Sequence, residues 1–116
     1  MRRTAQVFLH DMSAAIDGIQ DAIIDLDFER FSKSWVHRRA VERGLEIISE
    51  ASRHVAPETN AKYPDIPWRA VAAIGNRLRH EYFQVDPKIV WDITTIELAS
   101  LSRAVADALK DFEEPT

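Results

Sequence analysis

Apolar residues recur at spacings of three and four along most of the 116-residue chain. The first of these runs predicts a helix over about residues 4–25. Its apolar stripe consists of Ala5, Leu9, Met12, Ile16, Ile19, Ile23 and Leu26. A second run predicts a helix from Ser34, a residue type that caps helix N-termini well, to about Val55, because Ala56 precedes Pro57 there.

Two more helices are predicted in the second half of the chain. Residues 57–66 have the composition of a loop, with room for one short helical turn. Pro67 favours the first turn of a short helix that runs to about His80. The pair Asp86-Pro87 is typical of an N-cap and a first helical residue, and it opens a last helix that runs to about Phe112.

These patterns together predict the fold class. Three glycines and few strand-like alternations indicate an all-α protein. Three long helices and one short helix predict a compact antiparallel bundle of about four helices, in a single domain over residues 1–116. The apolar faces of the first and last helices are wider than a small bundle covers, which predicts a homodimer.

The composition narrows the classes of function. The chain has no cysteine, which excludes disulfides and thiolate chemistry and suits a reducing cytoplasm. No apolar run approaches the length of a membrane span, so no membrane association is predicted. The net charge is −4, yet the segment from Ile66 to His80 has three arginines, one histidine and no acid. This local excess predicts a small anion-binding site.

The candidate chemistry lies in the stretch AIGNRLRHEYFQVD, residues 73–86. On a helix, Asn76, Arg77 and His80 share one face. An imidazole exchanges a proton near neutral pH, a guanidinium holds phosphate, and an amide orients either group. This set suits metal-free cleavage of an RNA phosphodiester. The alternative is a helix C-terminus at which basic side chains meet the negative end of the helix dipole.

Further basic residues are candidates for RNA phosphate contacts. Arg38 and Arg39 open the second helix, and Arg69 and Arg79 lie in the third. A positive cluster near a helix N-terminus is mildly unfavourable, which hints at an external or tertiary partner. The alternative for Arg38 and Arg39 is a solvated face paired with acids such as Glu42.

The spacing of acids and histidine in the second helix argues against a metal site. Glu46, Glu50 and His54 recur every four residues, whereas bundle metal sites place Glu and His three apart. We therefore predict no metal and no cofactor. Glu46 and Glu50 are expected to pair with Arg43, Arg53 or His54.

Two stretches resemble the HepT-like HEPN family: IPWRAVAAIGNRLRHEYFQVDPKIVWDI, from Ile66, and HRRAVERGLEIISEAS in the second helix. The proline-tryptophan start, N-R-L-x-H-x-Y, Phe-x-Val-Asp and Val-Trp-Asp carry the resemblance, which covers essentially the whole chain. It implies a dimeric, metal-independent endoribonuclease, the toxin half of a toxin–antitoxin pair. It also implies a partner, a minimal nucleotidyltransferase antitoxin, which in some pairs transfers AMP to the tyrosine of the His-x-Tyr motif.

The resemblance gives roles to individual residues. It implies that His80 is the catalytic histidine, that Tyr82 is the tyrosine that receives AMP, and that Asn76 follows the catalytic arginine. In the family, four residues usually separate that arginine from the histidine. Counted back from His80, this spacing places the arginine at position 75, where this chain has Gly75. Arg77 matches a second, common arginine of the motif. The expected function is thus an RNA-cleaving toxin. Without the arginine it is expected to be weak or inactive, unless a neighbour, with Arg77 and Arg79 the nearest, supplies the charge or the residue was altered to make a toxic protein expressible. The alternatives are a non-catalytic module that binds RNA or the nucleotidyltransferase, and a helical interaction protein whose polar cluster only caps a helix.

Overall fold

The helices of the protein follow the apolar pattern of the sequence. A computed structural model describes residues 4–80 and 86–112 of the chain, without the side chains of residues 79 and 80. In chain order its helices are α1 (Ala5–Ile23), α2 (Phe28–Lys33), α3 (Trp35–Arg53), α4 (Pro57–Lys62), α5 (Trp68–His80), α6 (Pro87–Asp92), a π-helical turn (Ile93–Glu97) and α7 (Leu98–Lys110). The described ranges contain no strand, and the predicted all-α bundle is confirmed.

Side-chain caps set the starts of two helices where the sequence predicted them. The Ser34 hydroxyl accepts a hydrogen bond from the backbone N–H of His37 at 3.3 Å and thereby caps α3. The Asp86 carboxylate accepts from the N–H of Lys88 at 2.9 Å and caps α6. These bonds satisfy backbone donors that the first turn of a helix leaves without an intrahelical acceptor.

The short helix α2 was not predicted. Asp27 caps it by accepting from the N–H of Arg30 at 2.8 Å, and Phe31 inserts its ring into the core with no exposed surface. The ring centroid of Phe31 lies 5.1 Å from that of Trp91. A helix of six residues is too short to show a periodic apolar stripe, so its position depends on this tertiary contact.

The last helix was predicted as one continuous α-helix, and this is wrong in one detail. The π-helical turn interrupts it, with the hydroxyls of Thr94 and Thr95 donating to the carbonyl oxygen of Trp91 at 2.9 and 2.8 Å. The buried residues Val90, Thr94 and Leu98 are spaced four apart. A π-turn holds more residues than an α-turn, because its hydrogen bonds run from i to i+5, and this spacing therefore stays on one face.

The core lies between α3 and its neighbours. Helix α3 packs against α1 on one side and α5 on another, and α7 packs against α1. The stripe residues Leu9, Met12 and Ile16 of α1 are at most 1% exposed. Within the described part of the chain, none of the helices combines the length and hydropathy that a membrane crossing requires.

Candidate functional site

Helix α5 carries the predicted polar cluster, and its first turn is anchored by a tryptophan. The indole N–H of Trp68 donates to the carbonyl oxygens of Asn60 and Tyr63, at 3.2 and 3.1 Å. Both acceptors belong to α4 or to the residue directly after it. The start of α5 is therefore held by the preceding segment, as expected for a partly buried indole that needs a hydrogen-bond acceptor.

One face of α5 packs on α3 through a buried serine. Val71, Gly75 and Leu78 form that face and are buried. Ser49 of α3 has no exposed surface, and its hydroxyl donates to the carbonyl oxygen of Ala72 at 2.9 Å and accepts from the N–H of Gly75 at 3.1 Å. Gly75, the position at which the sequence pattern lacks an arginine, therefore lies in the contact between the two helices.

The other face of α5 is exposed and carries the candidate polar residues. Asn76 and Arg77 are exposed. The amide oxygen of Asn76 accepts a hydrogen bond of 2.7 Å from Nη2 of Arg53, which also donates to the carbonyl oxygen of Ala72 at 2.9 Å. The helix continues to His80, whose backbone lies four residues beyond Asn76 and so on the same side of the helix.

Three of the predicted site residues cannot be placed in full. The side chains of Arg79 and His80 and the whole of Tyr82 lie outside the described residues. The roles that the resemblance implies for His80 and Tyr82 therefore remain predictions.

Arg53 is the residue near this cluster that sequence reasoning missed. It was considered only as a partner for Glu46 or Glu50. In the structure Glu46 lies 3.3 Å from Arg43, and Glu50 lies 3.0 Å from His54. Arg53 instead crosses to α5. Its position four residues after Ser49, on one face of α3, was visible in the sequence, but the pairing of that face with α5 was not.

The other predicted basic residues are spread along the bundle. Arg69 lies on α5 seven residues before Asn76, which places both on one face. Arg39 lies 2.6 Å from Glu42 and has its guanidinium 5.7 Å from the Trp35 ring centroid, in agreement with the solvated, paired alternative.

Arg38, near the start of α3, lies beside the beginning of α6. It lines a cavity of about 10 Å³ with Phe31, Glu42, Pro87 and Val90. Its Nε is buried and has no hydrogen-bond partner among the described residues. The described contacts of Arg38 and Arg39 do not join either residue to Asn76.

A large cavity lies away from the polar cluster of α5, because no residue of α5 is among its lining residues. Its volume is about 960 Å³, and it lies between α1, α3 and α4. Phe8, Arg43, Glu50 and His54 are among its lining residues, and the rings of Phe8 and His54 stack with centroids 5.1 Å apart. Across residues 4–80 and 86–112, no three His, Cys, Asp or Glu side chains are grouped closely enough to hold a metal ion.

Comparison with known proteins decides the family. Residues 12–108 match the family model described as "Ribonuclease HepT-like". The chain belongs to the HepT-like ribonuclease family. It is 33% identical over 113 residues to "Putative RNase MJ0125" of Methanocaldococcus jannaschii, with 97% of each chain covered. It is 35% identical to "Probable ribonuclease HepT" of Thermococcus cleftensis, over 87% of this chain and 92% of the relative. No solved structure gave a significant match.

As a HepT-like ribonuclease, the chain belongs to a family of enzymes. The motif that the sequence resembles expects an arginine where Gly75 stands. A long charged side chain at that position would start from the buried face next to Ser49. Burying a charge is costly unless it is paired, so an arginine here would have to leave the contact between α3 and α5.

Proposed function

We propose that this HepT-like ribonuclease is the toxin of a toxin–antitoxin pair and cleaves RNA without a metal ion. The observation that carries the proposal is the exposed face of α5, on which Asn76 and Arg77 precede the backbone of His80 within two helical turns. Family membership supports the reaction class. The names of the relatives describe ribonucleases as well.

The chemistry assigns one step to each group. The His80 imidazole removes the proton from a ribose 2′-hydroxyl, whose oxygen attacks the adjacent phosphorus. The bond from phosphorus to the 5′-oxygen then breaks, and the leaving oxygen takes a proton from water, which leaves a 2′,3′-cyclic phosphate and a 5′-hydroxyl. Arg77 stabilises the charge on the five-coordinate phosphorus, and Asn76 orients the phosphate. DNA lacks the 2′-hydroxyl and is not a substrate.

The test is RNA cleavage by the purified protein in the presence of a chelator. Loss of a general acid/base costs about 10²–10⁴ in rate, and we expect that loss for His80→Ala. His10→Ala is the matched control, because His10 is an exposed histidine on α1, away from α5. A substrate with 2′-deoxyribose at the cleaved position should stay intact. Equal cleavage by the two variants would rule out the assigned role of His80.

The proposal includes a cytoplasmic homodimer. Several large apolar side chains are exposed, among them Trp35 at 62%, Val36 at 66% and Ile96 at 70%. Such surface is typical of an interface between protein chains. Sedimentation at micromolar concentration should therefore give a dimer, and a monomer would count against this part of the proposal.

Control of the toxin is assigned to Tyr82 and to a minimal nucleotidyltransferase antitoxin. The tyrosine hydroxyl attacks the α-phosphorus of ATP, forms a tyrosyl–AMP ester and releases pyrophosphate. The added negative charge opposes binding of RNA phosphate nearby. Mass spectrometry after incubation with the antitoxin and ATP should show one AMP per chain. Tyr82→Phe should abolish it, and Tyr63→Phe, at the only other tyrosine, should not. Labelling of Tyr63 would contradict the assignment.

One observation favours a second function, a non-catalytic module that binds RNA or the nucleotidyltransferase. Gly75 brings no side chain to the site and is engaged with Ser49. Losing a charge partner of the transition state costs a factor of about 10²–10³. RNA binding without cleavage, together with normal growth on expression, would favour this module over the toxin.

A further inference from the structure

Arg53, the last residue of α3, reaches across to α5. Its Nη2 donates to the carbonyl oxygen of Ala72 at 2.9 Å and to the side-chain oxygen of Asn76 at 2.7 Å. Ala72 and Asn76 are four residues apart, so the guanidinium lies along one face of α5. His80 follows after four more residues, about 6 Å further along the axis of the helix.

The two groups that Arg53 contacts among the described residues do not neutralise its charge. Both are neutral oxygens, whereas Arg39 and Arg43 on the same helix lie 2.6 and 3.3 Å from glutamates. Glu50, the acid that precedes Arg53 most closely along α3, bonds to His54. A guanidinium has five N–H donors, three more than these two bonds use. The side chain of Arg53 is exposed.

We propose that Arg53 contacts the scissile phosphate and supplies from α3 the positive charge that α5 lacks at Gly75. The inference rests on the proposed ribonuclease function and adds a residue to that same site. Gly75 faces Ser49 in the buried contact between the helices, while Arg53 approaches Asn76 from the exposed side. A phosphate held beside Asn76 and His80 therefore lies within about one helical turn of the Arg53 guanidinium.

The competing role for Arg53 is structural. Its two hydrogen bonds join the end of α3 to α5, and a basic side chain at a helix C-terminus interacts favourably with the helix dipole. A purely structural residue would change the unfolding temperature. It would not change how RNA binding responds to salt.

The experiment compares Arg53→Gln with the matched control Arg43→Gln, an exposed arginine on another face of α3. Cleavage of a single-stranded oligoribonucleotide gives the rate, and the same sequence with 2′-O-methyl groups gives binding without cleavage. We expect Arg53→Gln to slow cleavage about a hundredfold or more, and Arg43→Gln to stay within a few-fold of the parent. The slope of log affinity against log salt should fall by about 0.7 for Arg53→Gln, as for the loss of one phosphate contact to a single strand.

Each other outcome has a defined meaning. If the parent and Arg53→Gln cleave at similar rates, the inference is overturned and the ribonuclease function stands. A slower rate with an unchanged salt slope assigns Arg53 a structural role and also overturns it. If the parent cleaves no RNA under any condition, the proposed function fails, and the inference fails with it.

Discussion

Helices α1 and α3 approach each other closely at Gly44, and this contact gives a sharp prediction. A Cβ atom at this position would lie 2.5 Å from Cγ1 and 2.7 Å from Cδ1 of Ile19. Carbon atoms in contact are normally about 3.5–4.0 Å apart. Ile19 is buried at 2% exposure, and its β-branched side chain has little rotamer freedom in a helix. Gly44→Ala must therefore push α1 and α3 apart or force Ile19 out of its rotamer.

Two opposing terms set the size of the effect. Overpacking of a core costs about 1–3 kcal/mol. Alanine is better than glycine inside a helix by about 1 kcal/mol. Because the closer clash is with Cγ1 rather than with the end of the side chain, we expect Gly44→Ala to lower the free energy of unfolding by about 1–2 kcal/mol.

Gly18 on α1 is the matched control. It is exposed, and a Cβ atom there would meet no atom within 4 Å beyond its own stretch of helix, as far as the described residues go. Only the propensity term applies, so Gly18→Ala should raise the free energy of unfolding by up to about 1 kcal/mol. The same substitution should thus lower the free energy of unfolding at Gly44 and raise it at Gly18.

The assay is urea denaturation followed by circular dichroism, at one protein concentration because the stability of the proposed dimer would depend on it. Ile19→Val removes Cδ1, and the double variant with Gly44→Ala should be more stable than the sum of the single effects predicts. The reasoning would be refuted if Gly44→Ala stabilised the protein as Gly18→Ala does.

Two further predictions concern the hydrogen bonds of individual side chains. Ser49→Ala removes both hydrogen bonds from the buried hydroxyl to α5 and should lower the free energy of unfolding by about 1–2 kcal/mol. Ser52→Ala removes only a 2.7 Å bond within α3 and should lower it by less. Equal losses of stability for the two variants in urea denaturation would contradict this. The bond of 2.8 Å from Tyr63 to Asp111, with burial and the carboxylate charge, raises the pKa of Tyr63 above 10.0. The stability that this shift adds is complete below about pH 10 and is lost as the pH rises through the raised pKa. Asp111→Ala should lower the Tyr63 pKa in an NMR titration, and an unchanged value would contradict the cause assigned here.

Local signals accounted for most of the helix boundaries. The helices predicted at about 4–25, 34–55 and 67–80 are found at Ala5–Ile23, Trp35–Arg53 and Trp68–His80. Each has an apolar stripe long enough to reveal its period, and Ser34 and Pro67 mark the starts of the second and third. Such features act within a few residues and can be read without knowledge of the fold.

The features that were missed depend on contacts between distant residues. Helix α2 has a cap at Asp27 but too few residues for a period, and Phe31 positions it by entering the core. The π-helical turn keeps the four-residue spacing of Val90, Thr94 and Leu98 on one face. The local sequence around α2 is equally typical of a loop, and the local sequence around the π-helical turn is equally typical of a continuous α-helix.

The sequence by itself determined the helical class, the position of the polar motif on α5 and the absence of an arginine at Gly75. Those properties follow from the order of side chains along one helix. Only the tertiary structure decided that Gly75 is buried against Ser49 and that Arg53 lies 2.7 Å from Asn76. Arg53 and Asn76 are 23 residues apart in the chain, and their contact depends on how α3 and α5 pack. That register is set by the shapes of both buried faces together, which no local sequence signal records.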